Sequence, residues 1–147
     1  MVAGNSENIR NILKVKSNMD SGMFLPMQMA AVEAINNPES WYDTVNTVYL
    51  KRRVIVEEIM EILNCRFDKS QSGLFVWGRI PEDIPDCEMY VENILQKKHV
   101  FITPGFIFGK NGARYIRISL CATENKLNEA KERILDMSRQ EEARSKK

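Results

Sequence analysis

A long helical pattern between residues 37 and 64 constrains the fold of this chain more than any other feature. It opens on Asn37-Pro38-Glu39, which combines a capping side chain, a proline suited to the first turn and an acid at the positive helix end. Apolar residues then recur near the 3.6-residue period of an α-helix. They are Trp41, Val45, Val48, Ile55, Ile59 and Ile62. A helix of about 27 residues is about 40 Å long. This exceeds what one small core needs, and therefore predicts a connector between two lobes.

Two shorter helices are predicted ahead of the long one. Residues 6–16 predict a helix capped by Ser6, and residues 26–36 predict a second helix with proline at its first position. Between them, residues 17–25 contain the Ser, Asn, Asp and Gly that are typical of loops. The helices carry apolar faces for which this short segment offers no partner, so residues 1–36 are expected to be the edge of another domain.

Residues 65–138 predict a small lobe in the order strand, helix, strand, strand and helix, which is an α+β layer. The strands are predicted at residues 74–80, 100–102 and 113–120, with one helix capped by Asp86 and a last helix opened by Thr123 and Glu124. Residues 139–147 are charged or small and are predicted to form a flexible tail. The predicted fold class is therefore α+β (α/β), with a long connecting helix followed by this small lobe.

The third predicted strand carries one arginine among apolar residues. Strand alternation places Tyr115, Arg117 and Ser119 on one face, and Ile116 and Ile118 on the other. A guanidinium that is buried alone costs several kcal/mol, so Arg117 needs an anion. Its planar fork suits a carboxylate held in two-point contact. The strand alone leaves two other readings open: Arg117 pairs with an internal Asp or Glu, or it lies on an edge face in water.

Residues 104–119 read Pro-Gly-x-x-Phe-Gly-x-x-Gly-x-x-Tyr-x-Arg-Ile-Ser, and three weaker stretches precede them. These are Lys-Ser-Asn-Met-Asp-Ser-Gly-Met-Phe at residues 16–24, Ala30-Ala31, and Gly-Leu-Phe-Val-Trp at residues 73–77. In this order the four stretches resemble the end of a class I/II pyridoxal-phosphate-dependent aminotransferase. The resemblance spans roughly residues 1 to 138, and the stretch around Arg117 is the specific part of it.

The resemblance implies that Arg117 grips the α-carboxylate of an amino-acid substrate. Tyr115 would flank it on the same face, Gly105 would let the backbone approach the site, and Phe108 would wall the substrate pocket. The residues themselves leave purely structural roles open for Gly105 and Phe108. Gly105 would also suit an ordinary surface turn, and Phe108 would also suit packing of the loop onto the core.

The cofactor chemistry of the family rests on a lysine that this sequence does not match. That lysine lies in a Ser-Lys motif followed by Gly-x-Arg-x-Gly, whereas Lys16-Ser17 reverses the order. At 147 residues the chain is also too short for both domains of such an enzyme. The resemblance thus implies the C-terminal part of an aminotransferase, in which residues 1–36 are a remnant of the large cofactor domain, 37–64 the connecting helix and 65–138 the small C-terminal domain. We expect pyridoxal 5'-phosphate in the full-length enzyme, none in this chain alone, no catalytic residue in this chain, and no activity of the chain alone.

A weaker likeness concerns Ser17 and Asn18. They resemble the loop that, in dimers of the family, reaches the partner's active site near the cofactor phosphate. An ordinary Asx-type turn is the alternative. The implied partners are an amino acid, a 2-oxo acid and a second copy of the intact enzyme.

Composition limits the other partners and sites that this chain could have. The net charge of +1 gives no electrostatic reason to expect nucleic acid or an anionic membrane as partner, and no apolar run approaches the roughly 18 residues needed to cross a bilayer. Cys65, Cys87 and Cys121 are widely spaced and odd in number. They predict neither a disulfide framework nor a metal site, and are expected to be reduced core-type cysteines of a cytoplasmic protein.

Two rival functions are drawn from the same residues. Gly109-Lys110-Asn111-Gly112 matches the Gly-x-x-Gly loop of KH nucleic-acid-binding modules. A KH loop joins two helices, however, while this one leads into a predicted strand. The unpartnered apolar faces of the first three helices favour a different alternative, a non-catalytic protein-interaction or dimerisation module.

Overall fold

The computed structural model describes the backbone of residues 2–145 and the side chains of residues 2–136. By internal contacts the chain divides into two compact units, Met1–Asp43 and Thr44–Lys147. The predicted tail, residues 139–147, lies outside the described side chains. It stays a prediction, as do the predicted domain boundaries. Within the described residues, no helix combines the length and the apolar character that a bilayer crossing requires.

The first unit contains two helices, α1 (Ser6–Met19) and α2 (Leu25–Ile35). Asn5, not the predicted Ser6, caps α1: its side-chain oxygen accepts a hydrogen bond from the backbone N–H of Glu7 at 2.9 Å. α1 also continues three residues past its predicted end, so Ser17 and Asn18 are helical rather than in a loop. The loop predicted to begin at residue 17 was therefore wrong at its start. Short polar side chains are tolerated in the last turn of a helix when they hydrogen-bond to the preceding carbonyl groups.

No described residue of the first unit is buried. Large apolar side chains lie open on both helices, including Met19 at 79% exposure and Phe24 at 69%. Met19, Met23, Met27 and Met29 are all exposed. Considered by itself, this unit therefore has apolar surface but no hydrophobic core.

The long predicted helix is present as α3 (Glu39–Ile62), with 24 residues and a length of about 36 Å. Its apolar stripe is covered only toward the C-terminal end, where Ile55, Val56, Ile59 and Met60 are buried. Trp41 and Val48 belong to the same predicted stripe and remain exposed. Periodicity thus identified the helix, but not which half of it is packed.

The second unit confirms the α+β class. It adds to α3 three strands and two helices: β1 (Phe75–Arg79), α4 (Cys87–Lys98), β2 (Thr103–Pro104), β3 (Tyr115–Ser119) and α5 (Glu124–Ser145). The strands form one antiparallel sheet in the order β1-β3-β2. The strand predicted at residues 100–102 is wrong, because pairing begins only at Thr103, where the chain lies beside β3.

One face of the sheet carries the core. Val76, Ile116 and Leu120 are fully buried, together with Ile94 of α4 and Ile134 of α5. The alternation predicted for β3 is confirmed, since Ile116 is buried while Tyr115 and Arg117 are only partly so. These helices cover the inner face of the sheet and leave its outer face for other contacts.

The cap predicted for α4 is confirmed. The carboxylate of Asp86 accepts a hydrogen bond from the backbone N–H of Met89 at 2.8 Å. The cysteines are all free, but Cys121 is exposed, so its expected place in the core is wrong. Cys65 and Cys87 are buried, and burial raises the pKa of the Cys65 thiol to about 12.

Candidate functional site

Arg117 lies at the centre of the sheet. Its strand, β3, pairs with β1 on one side and β2 on the other, so that Trp77 and Thr103 are its direct neighbours across the two ladders. Arg117 therefore does not occupy an edge strand, although it is partly exposed to solvent. Its side chain projects from the face opposite the buried Ile116.

Three aromatic rings surround the guanidinium of Arg117. Its Cζ atom lies 4.1 Å from the ring centroid of Phe75 and 4.1 Å from that of Phe108. The ring of Trp77 is 5.9 Å away and contacts Phe108 edge-on at 5.3 Å. Each cation–π contact of this kind is worth about 0.5 to 2 kcal/mol, depending on how much water is excluded. The rings stabilise the cation without neutralising it.

Among the described residues, no carboxylate forms an ion pair with Arg117. Its Nε atom is buried and has no hydrogen-bond partner in this part of the chain. A buried donor that is left unsatisfied costs about 1 to 3 kcal/mol. Within the described residues the internal ion pair is therefore not formed, and the Nε of the guanidinium has unused hydrogen-bonding capacity.

Arg114, three residues earlier, has the opposite environment. Its Nη1 donates hydrogen bonds to the carbonyl oxygens of Ile84 and Pro85, the second at 3.1 Å, and its Nη2 donates to that of Pro81 at 2.7 Å. The carboxylate of Glu82 lies 3.5 Å from the same Nη2. Arg114 is thus a structural residue that fastens the loop between β1 and α4.

Glycines allow the loop before β3 to fold back on itself. This loop contains two short 3₁₀ turns, Gly105–Phe108 and Lys110–Gly112. A Cβ on Gly105 would overlap the carbonyl oxygen of Gly112 and lie 2.7 Å from that of Tyr115. Gly105 therefore allows a close approach of the chain to itself, while the predicted approach of its backbone to the substrate site stays a prediction. The crossing fixes the turn that carries Phe108.

Tyr115 and Ser119 flank Arg117 in sequence but differ in their contacts. The Tyr115 ring contacts Trp77 at 6.4 Å, on the side of Trp77 where a pocket of about 400 Å³ is lined by Arg66, Arg79 and Tyr115. The hydroxyl of Ser119 accepts a hydrogen bond from the backbone N–H of Cys121 at 3.1 Å. Neither side chain hydrogen-bonds to Arg117 in the described part of the chain.

A second pocket, of about 280 Å³, borders Arg117 directly. Its polar lining includes Thr103, Ser119 and Lys126, while the remainder is largely apolar, with Val100 and Ile134 among the residues. The pocket is partly open, and Ile59, Ile118 and Ile134 in its lining belong to the core side of the sheet.

The residues proposed to meet the cofactor phosphate do not fit it in this conformation. The Ser17 hydroxyl and the Asn18 amide both donate to the carbonyl oxygen of Lys14, at 3.1 and 2.6 Å. Both lie in the last turn of α1, where the partial charge of the helix end is negative and disfavours an anion. Lys16 is paired with Asp20 at 2.9 Å.

Phe75 and Trp77 are site residues that the sequence reasoning missed. Both belong to the Gly-Leu-Phe-Val-Trp stretch, and alternation places them on one face of β1. Their contact with Arg117 depends on the strand register, which pairs Trp77 with Arg117 and Phe75 with Ser119. The sequence signal for this contact was alternation, which places Phe75 and Trp77 on one face of β1 and Arg117 on one face of β3. It identifies a contact only once the pairing of the two strands is known.

Comparison with known proteins identifies relatives over nearly the whole chain, although no family profile matches it. LL-diaminopimelate aminotransferase of Natranaerobius thermophilus is 34% identical over 135 residues, which are 92% of this chain and 35% of that protein. The enzyme of the same name from Aquifex aeolicus is 34% identical over 137 residues, 93% of this chain and 35% of the relative. The chain thus spans about one third of the length of these curated relatives.

Solved structures agree with the sequence relatives. An aminotransferase from Staphylococcus aureus superposes with a TM-score of 0.78 at 31% identity, over 92% of this chain and 36% of that structure. Sequence and fold therefore point to the same family over the same extent of the chain. The chain is thus similar over nearly its whole length to part of these aminotransferases, and is consistent with a C-terminal aminotransferase segment.

Proposed function

We propose that this chain is the carboxylate-recognition segment of an enzyme that moves an amino group between an amino acid and a 2-oxo acid. The observation that carries the proposal is Arg117, a partly exposed guanidinium on the central strand, with a buried Nε that has no hydrogen-bond partner among the described residues. A carboxylate is the anion that its planar fork matches best.

In the intact enzyme, Arg117 would hold the α-carboxylate of the substrate in two-point contact. Two hydrogen bonds fix both the position and the rotation of a carboxylate, so the Cα–H bond is presented in one orientation for proton removal. In the intact enzyme, pyridoxal phosphate held by residues outside this chain would supply the electron sink. Phe108 walls one side of the guanidinium.

Substitution of Arg117 in the full-length enzyme tests the proposal. Arg117→Ala should weaken substrate binding by about 2 to 5 kcal/mol, because a carboxylate loses its charged partner. This corresponds to a fall in kcat/KM of about 30-fold to several thousand-fold. Arg79→Ala is a matched control, since Arg79 lies on β1 opposite Tyr115 and is paired with Glu82 at 3.2 Å. Equal kinetics for wild type and Arg117→Ala would refute the assignment.

The isolated chain is proposed to bind no pyridoxal phosphate and to transfer no amino group. The proposal is supported by the lack of a Ser-Lys motif followed by Gly-x-Arg-x-Gly. It is also supported by the engagement of Ser17 and Asn18 with the Lys14 carbonyl. Mixing the purified chain with the cofactor should leave the visible spectrum that of free pyridoxal phosphate. An aldimine absorbance that resists dialysis would contradict it.

The intact enzyme is further proposed to be a cytoplasmic homodimer. The cytoplasmic assignment is supported by three cysteines that remain free, two of them buried. The dimer is supported by the apolar surface of α1 and α2, on which Met19, Phe24 and Leu25 are exposed.

The same surface favours the second candidate function, a non-catalytic interaction or dimerisation module. Sedimentation of the purified chain separates this candidate from a segment without interactions of its own. A module of this kind would form a defined dimer or larger species at micromolar concentration, whereas a clean monomer over the same range would count against it.

A further inference from the structure

The Arg117 guanidinium lies between two aromatic rings that belong to different elements. Phe75 opens β1, and Phe108 ends the first 3₁₀ turn of the loop before β3. Each ring centroid is 4.1 Å from Cζ, yet no ring contact joins Phe75 to Phe108 within the described residues. Two rings at this distance on the same side of the cation would touch one another. We therefore place them on opposite faces of the guanidinium plane.

This arrangement limits the directions from which an anion can approach. The two faces are covered by the rings, and Nε is buried. What remains for a ligand is the outer edge of the fork, with the two Nη atoms. An arginine side chain is otherwise free in several torsions, and ordering it on binding reduces affinity.

We propose that Phe75 and Phe108 are positioning residues, which hold the Arg117 guanidinium flat between their rings so that only its Nη edge meets a substrate carboxylate. The inference rests on the proposed function of Arg117. It assigns the two phenylalanines a role that acts through Arg117, apart from any contact they make with the substrate.

The surroundings of Phe108 support this role. The ring is braced by the edge of Trp77 at 5.3 Å, and its turn is fixed where the backbones of Gly105 and Gly112 cross. Half-exposed aromatic side chains on loops commonly vary in conformation. The Phe108 ring, in contrast, is in contact with Trp77 and with the Arg117 guanidinium.

Arginine side-chain NMR of the 147-residue chain tests the inference without enzyme activity. The variants are Phe75→Leu and Phe108→Leu, and Phe108→Tyr restores the ring. Phe106→Leu is the matched control, because Phe106 lies on the same 3₁₀ turn, is exposed to a similar degree (40%, against 49% for Phe108), and makes no ring contact with Arg117 in the described residues. The readout is the order parameter of the Arg117 Nε–H bond.

In the wild type we expect an order parameter near that of rigid groups, about 0.85. Each leucine variant should lower it below about 0.6, while Phe106→Leu and Phe108→Tyr should retain it. An order parameter that stays high in both leucine variants would overturn the positioning role. Circular dichroism of each variant confirms that the fold is retained, and Phe108→Tyr decides the question if a leucine variant unfolds.

Acetate is the probe that separates this inference from the proposed function. Its addition to wild-type chain should shift the Arg117 Nη and Nε signals. If acetate shifts nothing while the rings still order the side chain, carboxylate recognition fails and the positioning role stands. If acetate shifts the signals but neither leucine variant changes the order parameter, carboxylate recognition stands and the positioning role fails.

Discussion

Arg114 and Arg117 are three residues apart, yet their guanidinium groups meet opposite surroundings. Arg114 donates to the carbonyl oxygens of Pro81, Ile84 and Pro85 and faces the carboxylate of Glu82. Arg117 faces aromatic rings and leaves its Nε unpaired. The same residue type thus closes a loop in one place and presents a cation in the other. Hydrogen bonds from both Nη atoms to carbonyl groups of the chain characterise the structural arginine, and aromatic contacts without an ion pair among the described residues characterise the candidate site.

The largest expected effect on stability is that of a substitution at Gly105, in the loop that carries Phe108 to Arg117. Gly105→Ala should lower the free energy of unfolding by about 3 kcal/mol or more, because the new Cβ meets the backbone oxygens of Gly112 and Tyr115 rather than a movable side chain. Urea unfolding of the chain measures it. Gly109→Ala is the control: its φ of +119° is strained for alanine, but the space around it is open, so it should cost less. Equal stability of Gly105→Ala and wild type would show that this crossing is not tight.

The next effect is that of the structural arginine. Arg114→Ala should cost about 2 to 4 kcal/mol of unfolding free energy, since three carbonyl groups of the 81–85 loop lose a charged donor. Arg114→Lys should recover only part, because one ammonium group cannot serve the three carbonyls with the geometry of a planar fork. Equilibrium denaturation gives both values. A loss below about 0.5 kcal/mol would mean that water replaces Arg114 at no cost.

The smallest effect on stability is expected at Arg117, the arginine that we propose binds the substrate carboxylate. Arg117→Met should change the stability of the chain by less than about 1 kcal/mol. The cation–π contacts are lost, but a buried unpaired donor is removed and an apolar side chain fills the space. The same denaturation experiment compares it with Arg114→Ala. A destabilisation of Arg117→Met as large as that of Arg114→Ala would erase the contrast between the two residues.

Much of the fold could be predicted from the sequence because its signals are local. The proline and acid that open α3, the Asp86 cap of α4, and the alternation around Ile116 and Arg117 each depend on neighbouring residues. Signals that depend on distant residues were less reliable. The short strand β2 forms at Thr103 only because β3 is there to pair with it, so the apolar residues 100–102 were mistaken for the strand.

The candidate site divides in the same way. The arginine and its outward direction follow from the order of residues along one strand. The aromatic surroundings require the register between β1 and β3, and the lack of an internal acid near Arg117 requires the whole described lobe. The sequence did not predict that Ser17 and Asn18 are helical. Their side chains donate hydrogen bonds to the backbone carbonyl of Lys14, and composition does not reveal these bonds.

The edge strand β2 has a consequence for how the lobe meets other molecules. It is two residues long, and its second residue, Pro104, has no backbone N–H to offer. A further polypeptide strand therefore finds no ladder to extend on that border of the sheet. This border of the sheet, next to the strand that carries Arg117, is thereby protected against edge-to-edge association.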